Sequence, residues 1–421
     1  MTAEQEQTIR FLIDVALERP VTRIDTHAAV VLLSGDRAYK MKRAVRFSFL
    51  DFSTLDRREQ TLRTELVLNR RTAPDLYLRV LPVTRGSDGE LALDDRGEPV
   101  EWLLEMRRFP SDATLDRIAD RGRLRLSAID QLAAVIASFH EGAEHRRDRG
   151  GFAGMCAVVD ENADNLREFA GTIFPATQVT ELADQAFGAL RQRKELLEAR
   201  RRDGFVRHCH GDLHLANIVE IAGAPVLFDC LEFNEEYACI DVLYDLAFLV
   251  MDLLDRDLAQ HAQRLLQGWI DRTSDDSALA LLPLFLATRA VVRAKVIALQ
   301  AVECTNEEER RRLAGKALVY FALARRALAP ASPRRVAIGG RSGTGKSALA
   351  MSLAPRLGAL PGAIVLRSDV IRKALVGEEP TRRLGLDAYA PDVSARVYAR
   401  IAARARALIG AGHSVIADAV F

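Results

Sequence analysis

The stretch His210-Gly211-Asp212-Leu213-His214-Leu215-Ala216-Asn217 decides how the rest of the chain is read, together with Asp229, which ends the apolar run Ala224-Pro225-Val226-Leu227-Phe228. It supplies two acids and one amide. Phosphoryl transfer from a nucleotide needs a base that accepts a hydroxyl proton, and oxygen ligands that hold Mg²⁺ against the phosphates. Asp212 is placed to be that base. Asn217 lies in the same loop, and Asp229 presents its carboxylate at a strand end, so these two can hold the metal. His210 is expected to brace the loop by hydrogen bonding. A zinc cluster of His208, Cys209, His210 and His214 does not match the spacing of closed zinc sites.

Upstream of this stretch, residues 4–18 carry apolar positions at helical spacing and end before Pro20. Thr26–Leu33 and Ala38–Lys42 flank a Gly35-containing turn and predict a β-hairpin. Lys40 and Lys42 are two apart and so share one strand face. Residues 54–70 predict a helix carrying Glu59 and Glu65. Leu76–Thr84 and Val100–Met106 read as further strands, and residues 112–202 as almost entirely helical. A small sheet lobe is therefore expected before a helical lobe. Lys40 can place a positive charge at the α and β phosphates, with Lys42 as the alternative. Glu65, or Glu59 in its stead, can pair with that lysine and hold it. Further on, Asp241 and Asp245 share a helix face and are expected to pack against or cap arginines.

His210-x-Asp212-x-x-x-x-Asn217 with its trailing Asp229 resembles the catalytic loop of aminoglycoside phosphotransferase-like kinases. The order of parts agrees: strand lysine, helix glutamate, an inter-lobe segment near Met106–Phe109, then the loop. The resemblance covers about residues 20–330 and implies a protein-kinase-like bilobal α+β fold, ATP and Mg²⁺. It casts Asp212 as catalytic base, Asn217 and Asp229 as metal ligands, and Lys40 with Glu65 as the nucleotide pair. The chain departs from the protein-kinase pattern in two places. No Gly-x-Gly-x-x-Gly precedes Lys40, and Asp229 is followed by Cys230-Leu231-Glu232-Phe233 instead of Phe-Gly.

Ala329–Arg335 reads as a linker. Beyond it, Gly340-Arg341-Ser342-Gly343-Thr344-Gly345-Lys346-Ser347 follows the strand Val336-Ala337-Ile338 and opens a helix. That context makes it a Walker A loop. Backbone N–H groups around Gly340, Gly343, Thr344 and Gly345 would cradle phosphates, Lys346 would reach them, and Ser347 would bind Mg²⁺. Strand Ile364–Leu366, a helix over 394–410 and strand Ser414–Asp418 complete a parallel α/β pattern. Leu366-Arg367-Ser368-Asp369 resembles the substrate side of gluconate kinase-like P-loop enzymes. It implies Asp369 as the catalytic base or an acceptor-positioning acid and Arg372 as an anion contact, with a helix N-cap as the plainer role for Asp369. Asp418 is a further acid at a strand end. The segment Val336–Phe421 is short for such a kinase and is read as a C-terminally incomplete P-loop NTPase domain.

The expected organisation is a kinase-like domain over 1–328 (lobes at about 1–108 and 109–328), a linker over 329–335 and the P-loop domain over 336–421. This order resembles bacterial bifunctional aminoglycoside phosphotransferase/ATP-binding proteins. The function it implies is ATP-dependent phosphotransfer to the hydroxyl of a small molecule, with a second nucleotide site. The competing reading is a nucleotide-binding regulatory or scaffold protein. Lys and Arg total 59 against 58 Asp and Glu, which argues against nucleic acid as partner. The run Ala278–Ala287 contains Pro283 and is too short to span a bilayer. The five cysteines form no Cys-x-x-Cys pair, and the N-terminus is polar and acidic. A cytoplasmic protein is expected, with no membrane partner. The oligomeric state is left open.

Overall fold

The computed structural model describes residues 1–47, 50–94, 96–341, 343–377 and 384–420; Ser342 of the expected Walker A run lies outside them. The chain divides into two compact units. One comprises Met1–Leu124 with His210–Cys239, the other Arg125–Cys209 with Ile240–Phe421.

The first unit is built on a six-stranded sheet in the order β1-β2-β3-β6-β4-β5. Its strands are β1 (Val21–Asp25), β2 (Ala29–Ser34), β3 (Arg37–Lys42), β4 (Tyr77–Arg85), β5 (Leu91–Ala92) and β6 (Glu98–Arg107). The strand period of two sorts β2 and β3 cleanly. Val30, Leu32 and Met41 join Ile9 and Leu12 in one buried cluster. The alternate residues Val31, Leu33, Ala38, Lys40 and Lys42 line a cavity. Helix α1 (Ala3–Phe11) continues into a wider π turn over Leu12–Ala16, so the expected N-terminal helix is shorter and changes pitch.

Helix α2 (Leu55–Asn69) starts at Thr54, whose hydroxyl accepts from Arg57 N. Leu62, Glu65 and Asn69 occupy one face of it and are all buried. Leu62 packs with Leu76, Tyr77, Leu104 and Val219. Arg58, on the same helix, is ion-paired to buried Glu101 of β6 at 2.9 Å. The apolar cluster and the Arg58 pair set the rotation of α2 and leave Glu65 facing β3. In the same unit, Ile218–Ile221 and Ala224–Leu227 form a hairpin in the register Ile218↔Leu227.

The second unit is mostly helical. The helix Val242–Asp255 is buried along nearly its whole length. Arg200 is held between Asp241 (2.7 Å) and Asp275 (2.8 Å), all three buried. This unit also carries the expected parallel α/β element. Arg335–Ile338 and Ile364–Arg367 flank the central strand Val415–Asp418, in register Val336↔Ile416 and Val365↔Ile416.

The Ile364–Arg367 edge of that small sheet is covered by the helix Ala259–Thr273. Gln263 Nε2 donates to Ala363 O (3.0 Å), and Gln267 both donates to Val365 O (3.0 Å) and accepts from Val365 N (2.8 Å). Asp271 pairs with Arg367 at 2.7 Å. Four helical residues rise about 6 Å, close to two strand residues at about 6.6 Å, so side chains at i, i+4 and i+8 can follow a strand edge at j, j+2 and j+4. An otherwise open row of backbone donors and acceptors is thereby satisfied. Among the described residues, no helix is long and apolar enough to cross a membrane.

Candidate functional site

Of the expected site residues of the first unit, Lys40, Asp212 and Asp229 line one cavity of about 610 Å³, together with Val31, Ala38, Met106 and Phe228, whereas Glu65 and Asn217 are not part of its wall. Lys40 Nζ lies 2.7 Å from Glu65 Oε1 and 2.7 Å from Asp229 Oδ1. Glu59 instead pairs with Arg63 along the outer face of α2. Lys42 does not join Asp229. Its Nζ lies 2.7 Å from Glu65 Oε2 and 2.5 Å from Glu232 Oε1.

Electrostatics follow from this packing. Burial alone would pull Lys40 down, but Asp229, Glu65 and Glu232 outweigh it and hold its ammonium well above the ordinary lysine value. Burial pushes Asp229 up, yet the charge and hydrogen bond of Lys40 win, so its carboxyl sits below the usual range. Burial leaves Glu232 raised despite Lys42, and drives the Tyr77 phenol well above its usual value, with Asp229 adding to it.

Asp229 is fixed from two sides. Its backbone N–H donates to Tyr77 Oη (3.0 Å), Cys230 N donates to Asn69 Oδ1 (2.9 Å), and Thr72 Oγ1 donates to Leu227 O (2.8 Å). Across the hairpin, Phe228 N donates to Asn217 O, and Leu231 N to His210 O. The His210 ring is buried with Nε2 3.0 Å from Phe228 O, the bracing role expected of it. Asp229 itself has φ +58°, a left-handed conformation uncommon outside glycine and asparagine-like residues. Gly211 has φ +81°, and a Cβ there would lie 3.0 Å from Leu231 Cβ, so the loop cannot take a larger residue unstrained.

Asp212 and Asn217 touch: Asn217 Nδ2 donates to Asp212 Oδ2 (2.9 Å) and Asp212 O (3.0 Å). That direction turns the Asn217 amide oxygen away from Asp212. Asn217 and Asp229 flank the open end of the same hairpin, and the Asp212 charge is felt at Asp229. A carboxylate and an amide oxygen are hard donors of the kind Mg²⁺ takes while keeping several waters, so the residues present fit that ion.

In the second unit, the P-loop residues are set by backbone conformation. Gly340, Gly343 and Gly345 have φ of 146°, 80° and 83°. Lys346 Nζ donates to Arg341 O (2.6 Å), and Ser347 Oγ donates to Asp418 Oδ2 (2.5 Å). Thr344 Oγ1 donates to Arg341 O. Ser347 and Asp418 are the hydroxyl and acid types that hold Mg²⁺ in P-loop sites. Asp369 lies in the first turn of the helix Ser368–Leu375 and pairs with Lys373 at 2.9 Å. The cap position is Arg367, so Asp369 is not the N-cap. Arg372 is buried, and its guanidinium donates to Ala388 O and Ser394 Oγ.

The cysteine–histidine zinc cluster set aside on spacing is not what assembles around Cys209. Cys209 lies with His140 and Asp245, all buried and within 4.8 Å of one another. Trp269 Nε1 donates to His140 Nδ1 (3.2 Å), which leaves Nε2 to donate to Asp245 Oδ2 (3.1 Å). Both ring nitrogens are thus engaged in a hydrogen-bonded brace. Asp241 pairs with an arginine as expected, whereas this contact of Asp245 is to a histidine. Sequence reasoning missed Tyr77 and Asn69. Asn69 had a signal, its place one turn after Glu65.

Residues 336–421 match a family model described as an AAA domain. The uncharacterised proteins Rv2004c of Mycobacterium tuberculosis and Mb2027c of Mycobacterium bovis are each 34% identical over 404 residues, covering 94% of this chain and 77% of the relative. Among solved structures, a choline/ethanolamine kinase family protein from Mesorhizobium loti aligns with TM-score 0.46 at 13% identity, over 76% of this chain and 99% of that one. A thermostable mutant of the aminoglycoside phosphotransferase APH(4)-Ia aligns with TM-score 0.46 at 13% identity, over 74% and 98%. By its identity with the mycobacterial proteins along almost its full length, the chain belongs to their family.

Proposed function

We propose that the protein is an ATP-dependent phosphotransferase that phosphorylates a hydroxyl of a small molecule in its first unit and binds a second nucleotide at its P-loop. The observation that carries this reading is the position of Lys40, whose ammonium meets both Glu65 and Asp229 at 2.7 Å on the wall of a largely apolar cavity. Such a cavity has the size and lining of a small-molecule site. Its apolar end, with Val31, Ala38 and Phe228, suits a nucleobase. Its charged end suits phosphates.

The residues divide the work. Lys40, held by Glu65, would contact the phosphates. Asn217 and Asp229 would hold Mg²⁺, which supplies neutralising charge at the phosphates. Asp212, its carboxylate oriented by Asn217, would take the acceptor proton as the hydroxyl oxygen attacks the γ-phosphorus and the bond to the bridging oxygen breaks. In the P-loop, backbone groups from Gly340 to Gly345 and Lys346 would cradle phosphates, with Ser347 and Asp418 at the metal. Asp369 is solvent-accessible and could face an acceptor there.

ATP consumption measured against a panel of aminoglycosides, sugars and amino alcohols tests the proposal. It expects at least one acceptor to stimulate consumption, and expects Asp212→Asn to remove that stimulation. Stimulated turnover that survives Asp212→Asn would contradict it.

A further inference from the structure

Lys42 and Glu232 form a second ion pair on the wall of the same cavity, and the nucleotide reading gives them no role. Lys42 is almost fully buried, 3% exposed at the side chain, against 14% for Lys40. Its ammonium lies between Glu65 Oε2 and Glu232 Oε1, with the Phe52 ring 5.4 Å away. Glu65 is completely buried, so each of its oxygens needs a partner. Lys40 serves one oxygen. Lys42 serves the other through a close ion pair that is not a well-directed hydrogen bond.

The geometry closes a ring. Two residues of one strand face, Lys40 and Lys42, meet two residues of one segment, Asp229 and Glu232, with Glu65 bridging the lysines. Once Asp229 serves a metal and Lys40 turns towards phosphate, Lys42 is the cation that still holds Glu65 in place. We propose, on the basis of the functional reading above, that Lys42 and Glu232 are positioning residues for the Lys40–Glu65 pair, and that Lys42 does not contact phosphate. Lys42 anchors the far oxygen of Glu65. Glu232 fixes Lys42 and ties that anchor to the Asp229 segment.

The test uses the full chain in a Lys346→Ala background, so that binding and turnover report the first site. The probes are a fluorescent ATP analogue for affinity and ATP turnover at saturation for kcat. Lys42→Met is expected to lower kcat by roughly 10–100-fold while the dissociation constant moves less than about threefold. Lys42→Arg, which can still bridge two carboxylates, is expected to recover most of that loss. Glu232→Gln, a milder change that keeps the fold under test if Lys42→Met does not, is expected to lower kcat by about threefold. In Lys42→Met/Glu232→Gln the melting temperature should recover in part, because Glu232 no longer carries a charge that has lost its partner, while kcat stays low because Glu65 still lacks its anchor.

Three outcomes would overturn the inference. One is a tenfold or larger weakening of nucleotide binding in Lys42→Met with kcat unchanged, the mark of a phosphate ligand. Another is joint recovery of kcat and melting temperature in the double variant, the mark of charge balance alone. The third is unchanged kcat in Lys42→Met while Asp212→Asn is inactive. Turnover that survives Asp212→Asn would instead overturn the functional reading beneath it.

Discussion

Lys40 and Lys346 are both expected at phosphates, yet the two regions prepare them differently. Lys40 is enclosed by carboxylates on a cavity wall, and its partners come from a helix and from the end of a hairpin, both far from its strand in sequence. Lys346 leans on the carbonyl of Arg341 within its own loop, and most of that loop is exposed. The first site is organised by side-chain charges that hold one another before any ligand arrives. The second is organised by backbone conformation, and its lysine has only a neutral carbonyl to leave. A site of the first kind is costly to assemble and sensitive to the loss of any one charge. A site of the second kind tolerates change around it, because its shape resides in glycine dihedrals.

The comparison breaks most visibly at Lys40. Lys40→Met leaves Glu65 and Asp229 without their shared cation, and kcat/KM for ATP in acceptor-stimulated turnover should fall on the order of 10²–10³-fold. Substituting Lys346 should instead weaken nucleotide binding at the P-loop and leave the melting temperature nearly constant, since no buried charge loses its partner. A large fall in stability in Lys346→Ala would remove the distinction drawn between the two lysines.

A smaller effect is expected where the P-loop sheet meets the helix Ala259–Thr273. Gln267→Leu removes both partners of Val365, whose N–H and C=O are buried, and should cost about 2 kcal/mol. Hydrogen exchange at Ile364–Arg367 should rise more than at Arg335–Ile338. Equal change in both strands would mean that the helix does not protect this edge selectively.

These contacts also mark what the sequence could and could not reveal. Gly340–Ser347 and Asp212–Asn217 were legible because each is a local pattern whose chemistry resides in its spacing. The contact of Lys40 with Glu65 was legible from strand and helix periodicity, which put each on the right face; the rotation of α2 turns Glu59 outward to Arg63 and brings Lys42 to Glu65 as well. The closure of Lys42 on Glu232, the Tyr77 hydroxyl at Asp229 N and the Gln267 ladder carry no local signal, since each joins residues 98 or more positions apart. Strand β1 escaped notice for another reason. It is a largely exposed edge strand carrying Arg23 and Asp25, so it lacks the apolar run that announces a strand.

The smallest expected effect is a pH dependence in the second unit. His413 is buried, with Nε2 2.7 Å from Leu279 O, and burial lowers its pKa below the ordinary histidine value. The unfolded chain therefore takes up this proton first as pH falls. The stabilisation is fully present above about pH 6.5 and is lost as pH drops below it. The melting temperature should fall by a few degrees between about pH 7.5 and 5.5, and part of that fall should vanish in His413→Leu. An identical pH dependence in the variant would exclude His413 as its source.

The central claim is that the main chemistry belongs to Asp212 and not to the P-loop. The most direct test compares acceptor-stimulated ATP consumption in Asp212→Asn and Lys346→Ala, alongside binding of a fluorescent ATP analogue to both. The account predicts a loss of about 10²–10⁴-fold in Asp212→Asn with nucleotide binding retained, and a loss of less than about tenfold in Lys346→Ala. The reverse order of losses would contradict it.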